Sequence, residues 1–281
     1  MIEQNTTRGS FRARNVFGLA LVLAFFVVAE ASGDTTATAS LVAVANTTLF
    51  SAYPDNNFGT SLIETGANGI GSPGRGLIRF DLSSIPANAT FTDAQITMQV
   101  VKLPPGDQHA GPSDSDFGMY AMLVPWVAGT GSGVKGLPAQ TGETTWNERL
   151  AGVASWQASG GGMGFDFASS PSTSAFIGTA LGPVTWGASP QMLSDLQSWL
   201  TNPSTNYGYL MMSDAEDTAG SGRRFDSIQS AGPDDIAPTL TVTYTIPVIP
   251  EPCTGLLLLT TACSCLMGRT KRRRLEGFWR G

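Results

Sequence analysis

GLIRFDLSSIPANATFTDAQITMQVV, residues 76–101, is written in the two-residue period of a half-buried strand at both of its ends. Ile78, Phe80 and Leu82 alternate with Arg79 and Asp81, and Ala94, Ile96, Met98 and Val100 alternate with Gln95, Thr97 and Gln99. Each run therefore has one apolar and one polar face. Between them, Ser83, Ser84, Pro86, Asn88 and Asp93 supply turn-forming side chains and a fixed φ. A loop is expected there, and the two strands are expected to pair antiparallel. Such a pair is not stable alone, so a second sheet must cover its apolar face.

Working outward, the same period predicts strands over Ser40–Phe50, a short one about Leu62 and Ile63, Met119–Val127 with Tyr120 and Trp126, Asn206–Met212, and Thr239–Ile246. One helix is expected, over Ser189–Leu200. Ser189 is placed as N-cap and Pro190 in the first turn, and Met192, Leu193, Leu196, Trp199 and Leu200 recur at helical spacing. Residues 157–175, QASGGGMGFDFASSPSTSA, read as a flexible loop and a candidate rim for a ligand. The 33 glycines and 17 prolines suit an all-β chain with many turns. The expected fold is all-β, a jelly-roll-like antiparallel β-sandwich with one short helix, flanked by an N-terminal signal helix and a C-terminal hydrophobic tail helix.

At 281 residues and 42 % apolar content the chain can bury a sizeable core. Its 16 basic residues are unevenly spread. Arg8, Arg12 and Arg14 precede the first apolar run, and Arg269, Lys271, Arg272, Arg273, Arg274 and Arg280 follow the last. Between Asp34 and Pro250 seven Lys or Arg face 18 Asp or Glu, a net charge of −11. A body so acidic repels nucleic acid, which is not expected as a partner. All three cysteines, Cys253, Cys263 and Cys265, lie in the C-terminal apolar segment, so no disulfide framework holds the body.

Candidate sites are few. Asp55, Asn56 and Asn57 in the loop YPDNNFGT could ligate calcium, or could simply bond their own backbone in a turn. Asp214, Glu216 and Asp217 form the densest acidic group and are the other candidate metal ligands. Structural calcium is the cofactor these residues suggest. Asp114 and Asp116 form a D-x-D pair that loop solubility explains equally well. Tyr53, Trp126 and Tyr207 sit in or beside polar turns and are candidate platforms for stacking a sugar ring, although a tryptophan in a sandwich more often belongs to the core. His109 is the single histidine and reads as a surface residue. With no cysteine in the body and no H-E-x-x-H, C-x-x-C or phosphate loop, catalytic chemistry is not expected. A paired-carboxylate hydrolase or a polysaccharide lyase is the enzymatic alternative, with Arg79, Lys102 and His109 scattered along the chain.

The segment RFDLSSIPANATFTDAQITM resembles the signature of the bacterial DNRLRE domain, also catalogued as a carbohydrate-binding module of family 96. The resemblance extends over about residues 47–246. It takes in Asn57 and Gly59 in the first loop, the run Thr145-Trp146-Asn147, a short helix ending in Trp199-Leu200, and a closing strand with Pro238, Leu240, Val242 and Tyr244. Gln229 stands where relatives often carry Glu, and residues 157–175 look like an insertion. The resemblance implies a secreted jelly-roll sandwich that binds extracellular polysaccharide without turning it over.

Both ends read as addresses. Residues 1–33 combine a basic leader, an apolar stretch of about 13 residues, where a span needs about 20, and Ala29 and Ala31 before a cleavage site. The body then runs over 34–247. In residues 248–281, Pro250, Glu251 and Pro252 stand before an apolar run, Cys253–Met267, and RTKRRR. This resembles the PEP-CTERM sorting signal, which implies processing by an exosortase-type enzyme. Until processed, the tail would hold the chain in the inner membrane with its basic cluster on the cytoplasmic side. LEGFWRG, beyond the basic cluster, departs from such tails. The expectation is an exported cell-envelope or extracellular protein that binds polysaccharide. The alternative is a structural surface or biofilm-matrix protein with no specific sugar ligand.

Overall fold

The computed structural model describes residues 33–105, 110–230 and 236–248. The leader, the tail with Pro250, Glu251 and Pro252, and His109 lie outside the described residues. The strands are β1 (Thr35–Phe50), β2 (Asn56–Asn57), β3 (Ile63–Ala67), β4 (Pro73–Phe80), β5 (Thr90–Lys102), β6 (Ser115–Ala121), β7 (Leu137–Pro138), β8 (Glu148–Leu150), β9 (Ala154–Ser155), β10 (Thr173–Ile177), β11 (Gly182–Trp186), β12 (Tyr209–Ser213), β13 (Arg223–Phe225) and β14 (Thr239–Ile246), with helix α1 (Pro190–Thr201) between β11 and β12. All the strand pairs are antiparallel, and the body is an all-β sandwich.

The first sheet is built on β5. Strand β14 pairs with residues 90–97 of β5 and β13 with residues 100–102, while β11 takes the stretch 96–100. The first half of β1, residues 35–42, pairs with β14, and β3 pairs with β13. The second sheet runs β1–β4–β12–β6–β10, using residues 43–50 of β1. β1 thus crosses from one sheet to the other, with a register shift between Ala43 and Ala45 that accommodates the change of direction.

The expected pairing of the two strands in residues 76–101 is not what forms. β4 lies in the second sheet and β5 in the first, and they face one another across the core. The reason is in their connection: Leu82, Ile85 and Ala89 are themselves buried in that core, so the chain arches over its end and does not turn back alongside. Alternation had placed the apolar faces correctly, since Ile78, Phe80, Ala94, Ile96, Met98 and Val100 all join one cluster. Phe91 joins them from the other phase, because β5 carries an extra residue opposite Thr243 and Tyr244. Trp186 sits fully buried at the centre, its ring 6.0 Å from Phe225, and its indole N–H donates to the Phe117 carbonyl at 2.7 Å.

A third layer covers the outer face of the second sheet. Leu49, Leu77, Leu210 and Met212 point away from the main core and pack beneath Met122, Trp126, Trp156 and Phe167, which come from the long loops after β6. Residues 157–175, expected as a flexible rim, belong partly to this layer and partly to β10: Phe167 is buried, and Asp166 accepts from the N–H groups of Gln157 and Gly162. α1 is capped by Ser189, whose Oγ accepts from the Met192 N–H at 3.0 Å, and it buries Met192, Leu196, Trp199 and Leu200.

Candidate functional site

Strand β4 presents Arg75, Leu77 and Arg79 toward the third layer, and both arginines find a tryptophan. The Arg75 guanidinium lies 5.6 Å from the Trp146 ring centroid, and that of Arg79 lies 5.7 Å from Trp126. There the likeness ends. Arg75 donates twice to Glu216, at 2.9 and 2.5 Å, and to the carbonyls of Gly160 and Gly161. Arg149, Arg223 and Arg224 also donate to protein acceptors. Arg79, among the described residues, has no hydrogen-bond acceptor, and its guanidinium is held by the ring beneath it.

Arg79 also lines a groove of about 490 Å³. Its walls are Val44, Phe80, Leu82, Ile85, Trp199, Leu200 and Pro203, and its polar groups are Arg79, Asp81, Ser83 and Asn206. The groove is therefore an apolar trough with a few convergent polar groups, the usual form of a small-molecule or oligomer subsite. Asp81 accepts from the backbone N–H and the hydroxyl of Ser83, at 2.9 and 2.8 Å. Those bonds hold its carboxyl below the ordinary carboxylate range, with the nearby Arg79 charge helping. Asn206 donates to the Phe80 carbonyl at 2.9 Å, while its own side-chain oxygen is buried without a partner.

The sequence-expected platforms divide. Trp126 and Tyr207 are brought together, the Trp126 indole N–H donating to the Tyr207 carbonyl at 2.6 Å. Trp126 is only 3 % exposed, so its stacking partner is Arg79 and not a sugar, a correction caused by the third layer closing over it. Tyr207 is half-buried, one residue from Asn206 at the groove. Tyr53 lies elsewhere, half-buried with its ring 6.0 Å from Phe50. Arg79, Asp81 and Asn206 carried no sequence signal as a set, since the groove gathers them from the end of β4 and the segment after α1.

Of the side chains expected for calcium, Asn57 and Glu216 are wholly engaged within the protein, and Asp55, Asp214 and Asp217 each have one oxygen engaged. Asn57 is fully buried: its amide nitrogen donates to the carbonyls of Ala128 and Thr144, and its Oδ1 accepts from the N–H groups of Gly59 and Gly131. It staples three loop segments and has no lone pair left to offer a cation. Asp55 accepts from Asn147 at 2.8 Å, Asp214 from the Asp116 N–H at 3.0 Å, Asp217 from Thr218, and Glu216 is taken by Arg75. Among the described residues no three His, Cys, Asp or Glu side chains gather as a metal site.

A second cleft of about 220 Å³ lies along Glu64, Lys102 and Arg224. Two of its cations are answered, since Arg224 donates to Glu64 at 2.8 Å and Arg223 to backbone carbonyls, while Lys102 is exposed at its rim. Burial raises the Glu64 pKa, a push that Arg224 only partly opposes. The first groove is the better candidate because it is roomier and its cation is positioned over a buried ring. No protein-family model and no curated protein matches this sequence.

Proposed function

We propose that the chain is an exported, non-catalytic polysaccharide-binding protein whose ligand lies in the groove between Arg79, Asp81, Asn206 and Trp199. The observation that carries this reading is Arg79: a half-buried guanidinium, pinned over a buried indole, whose N–H donors have no acceptor within the described protein. Its donors reach solvent, so ligand oxygens can replace water there in a charge-assisted hydrogen bond. Sugar hydroxyls and ring oxygens are such acceptors, and the apolar walls suit the C–H faces of pyranose rings.

Asp81 fits a binding role. Its depressed pKa keeps it ionised at neutral pH, so it accepts hydrogen bonds from hydroxyls and is a poor proton donor for glycosidic cleavage. It is the one carboxylate lining the groove. Export and sorting are read from residues 1–33 and 248–281, whose leader and Pro-Glu-Pro, apolar and basic segments suit passage through the membrane and later release by an exosortase-type enzyme.

Affinity electrophoresis of the full chain in detergent, through gels containing a panel of acidic and neutral polysaccharides, tests this. Wild type is expected to be retarded by at least one polymer, and Arg79→Met to lose about tenfold or more in affinity, as expected for a charge-assisted contact worth about 1.5–3 kcal/mol. No retardation by any polymer, with the fold intact, would favour the structural-matrix reading.

A further inference from the structure

Arg79 and Asp81 stand two residues apart at and just beyond the end of β4, and both line the groove. They are its only charged residues, so its formal charge is zero. The ion pairs among the described residues are Arg75 with Glu216 and Arg224 with Glu64. Arg79 and Asp81 are therefore near enough for the cation to help hold the carboxyl ionised, yet they do not close a pair of their own. Each Asp81 oxygen accepts one hydrogen bond from Ser83 and keeps room for another. The groove thus sets a cation that has no protein acceptor among the described residues beside a carboxylate with acceptor capacity to spare.

We propose that this groove selects neutral polysaccharide and discriminates against polymers bearing carboxylate or sulfate. The selectivity rests on the saccharide-binding role proposed for the same groove and names the class of ligand. A sugar hydroxyl both donates and accepts, so hydroxyls can donate to Asp81 while accepting from Arg79. A carboxylate or sulfate only accepts. It answers Arg79, but it has nothing to donate to Asp81 and meets a like charge there, which offsets the gain from the cation. The body acts in the same direction: residues 34–250 carry a net charge of −11, so a polyanion is repelled on approach, over about 8 Å at physiological salt. The walls formed by Val44, Ile85, Trp199, Leu200 and Pro203 suit uncharged ring faces.

Affinity electrophoresis of the full chain in detergent, against polymers that share a backbone and differ in charge, tests this. Polygalacturonate is run beside its methyl-esterified form, alginate and hyaluronan each beside its carboxyl-reduced form, and neutral glucans and mannans complete the set. Groove binding is the part of the retardation lost in Arg79→Met, which sets aside polymer held by the basic leader or the basic tail. That part is expected to be about tenfold or more stronger for the best neutral polymer than for any acidic one, and to stay unchanged from low to high salt. Asp81→Asn should close most of this gap, strengthening acidic and weakening neutral binding. Asp217→Asn removes the same charge outside the groove and should leave the gap in place. Circular dichroism checks the fold of each variant. Groove-dependent retardation by an acidic polymer that equals or exceeds that of the neutral ones would overturn the selectivity and leave saccharide binding standing. So would a gap that Asp217→Asn closes as far as Asp81→Asn does. No groove-dependent retardation by any polymer would overturn both.

Discussion

Asn57 makes four hydrogen bonds from a fully buried side chain, all to backbone groups. Asn57→Ala orphans two N–H groups and two carbonyls, and should cost about 3 kcal/mol or more in chemical denaturation. Treatment with a calcium chelator should leave the cost of Asn57→Ala unchanged, since the four partners of that side chain are backbone groups. The sequence legibly showed the local part of the device, the bond from Gly59 two residues on, which is why a turn and a calcium loop looked alike. The partners at 128, 131 and 144 were invisible because they come from another loop. Asp195 carries a different test. Burial raises its pKa, opposed in part by hydrogen bonds from Ser172 and Gln191. A raised acid binds its proton more tightly folded than unfolded, so its contribution is present below the unfolded carboxylate range and is lost as pH rises through the folded value. Melting temperatures should therefore move in favour of Asp195→Asn over wild type between about pH 3 and about pH 7.

At the scale of elements, what was readable was what depends on neighbours in sequence. β14 runs over Thr239–Ile246 as its alternation predicts, and α1 begins behind the cap and proline that announce it. Ser189→Ala should cost about 1 kcal/mol, or more, because the same hydroxyl also donates to the Ser172 carbonyl. Gly208 gives a sharper test: its φ is +76°, and a Cβ there would lie 2.1 Å from the Ile78 carbonyl oxygen. Gly208→Ala should lower the melting temperature strongly and open the β4–β12 pairing, read as faster amide exchange in Tyr209–Met211. β10 and β11 were missed. Thr173–Ile177 follows a serine- and glycine-rich stretch, and Gly182 and Pro183 at the head of β11 read as punctuation. The pairing of β4 with β5 failed for a related reason: alternation fixes which face is buried, and says nothing of which strand lies alongside.

For the whole molecule, the unforeseen feature is the third layer. Its trace in the sequence was the unbroken apolar run Tyr209–Met212, since a strand covered on both faces has no reason to alternate. That layer brings Trp126 under Arg79, one of the residues that line the groove. Trp126→Ala should cost about 3–5 kcal/mol as a core truncation and should weaken polysaccharide binding as well, because Arg79 loses the ring that positions it. Trp126→Phe should recover more of the binding than Trp126→Leu at matched stability, a difference that a purely core-filling role for the side chain would not produce.

Hydrogen exchange by mass spectrometry on the full chain, with and without a retarding polysaccharide, reads the location of binding directly. The account predicts added protection in residues 79–85 and 199–208, lost in Arg79→Met. Protection confined to the Glu64, Lys102 and Arg224 cleft or to the Tyr53 loop, or protection unchanged by that substitution, would contradict it.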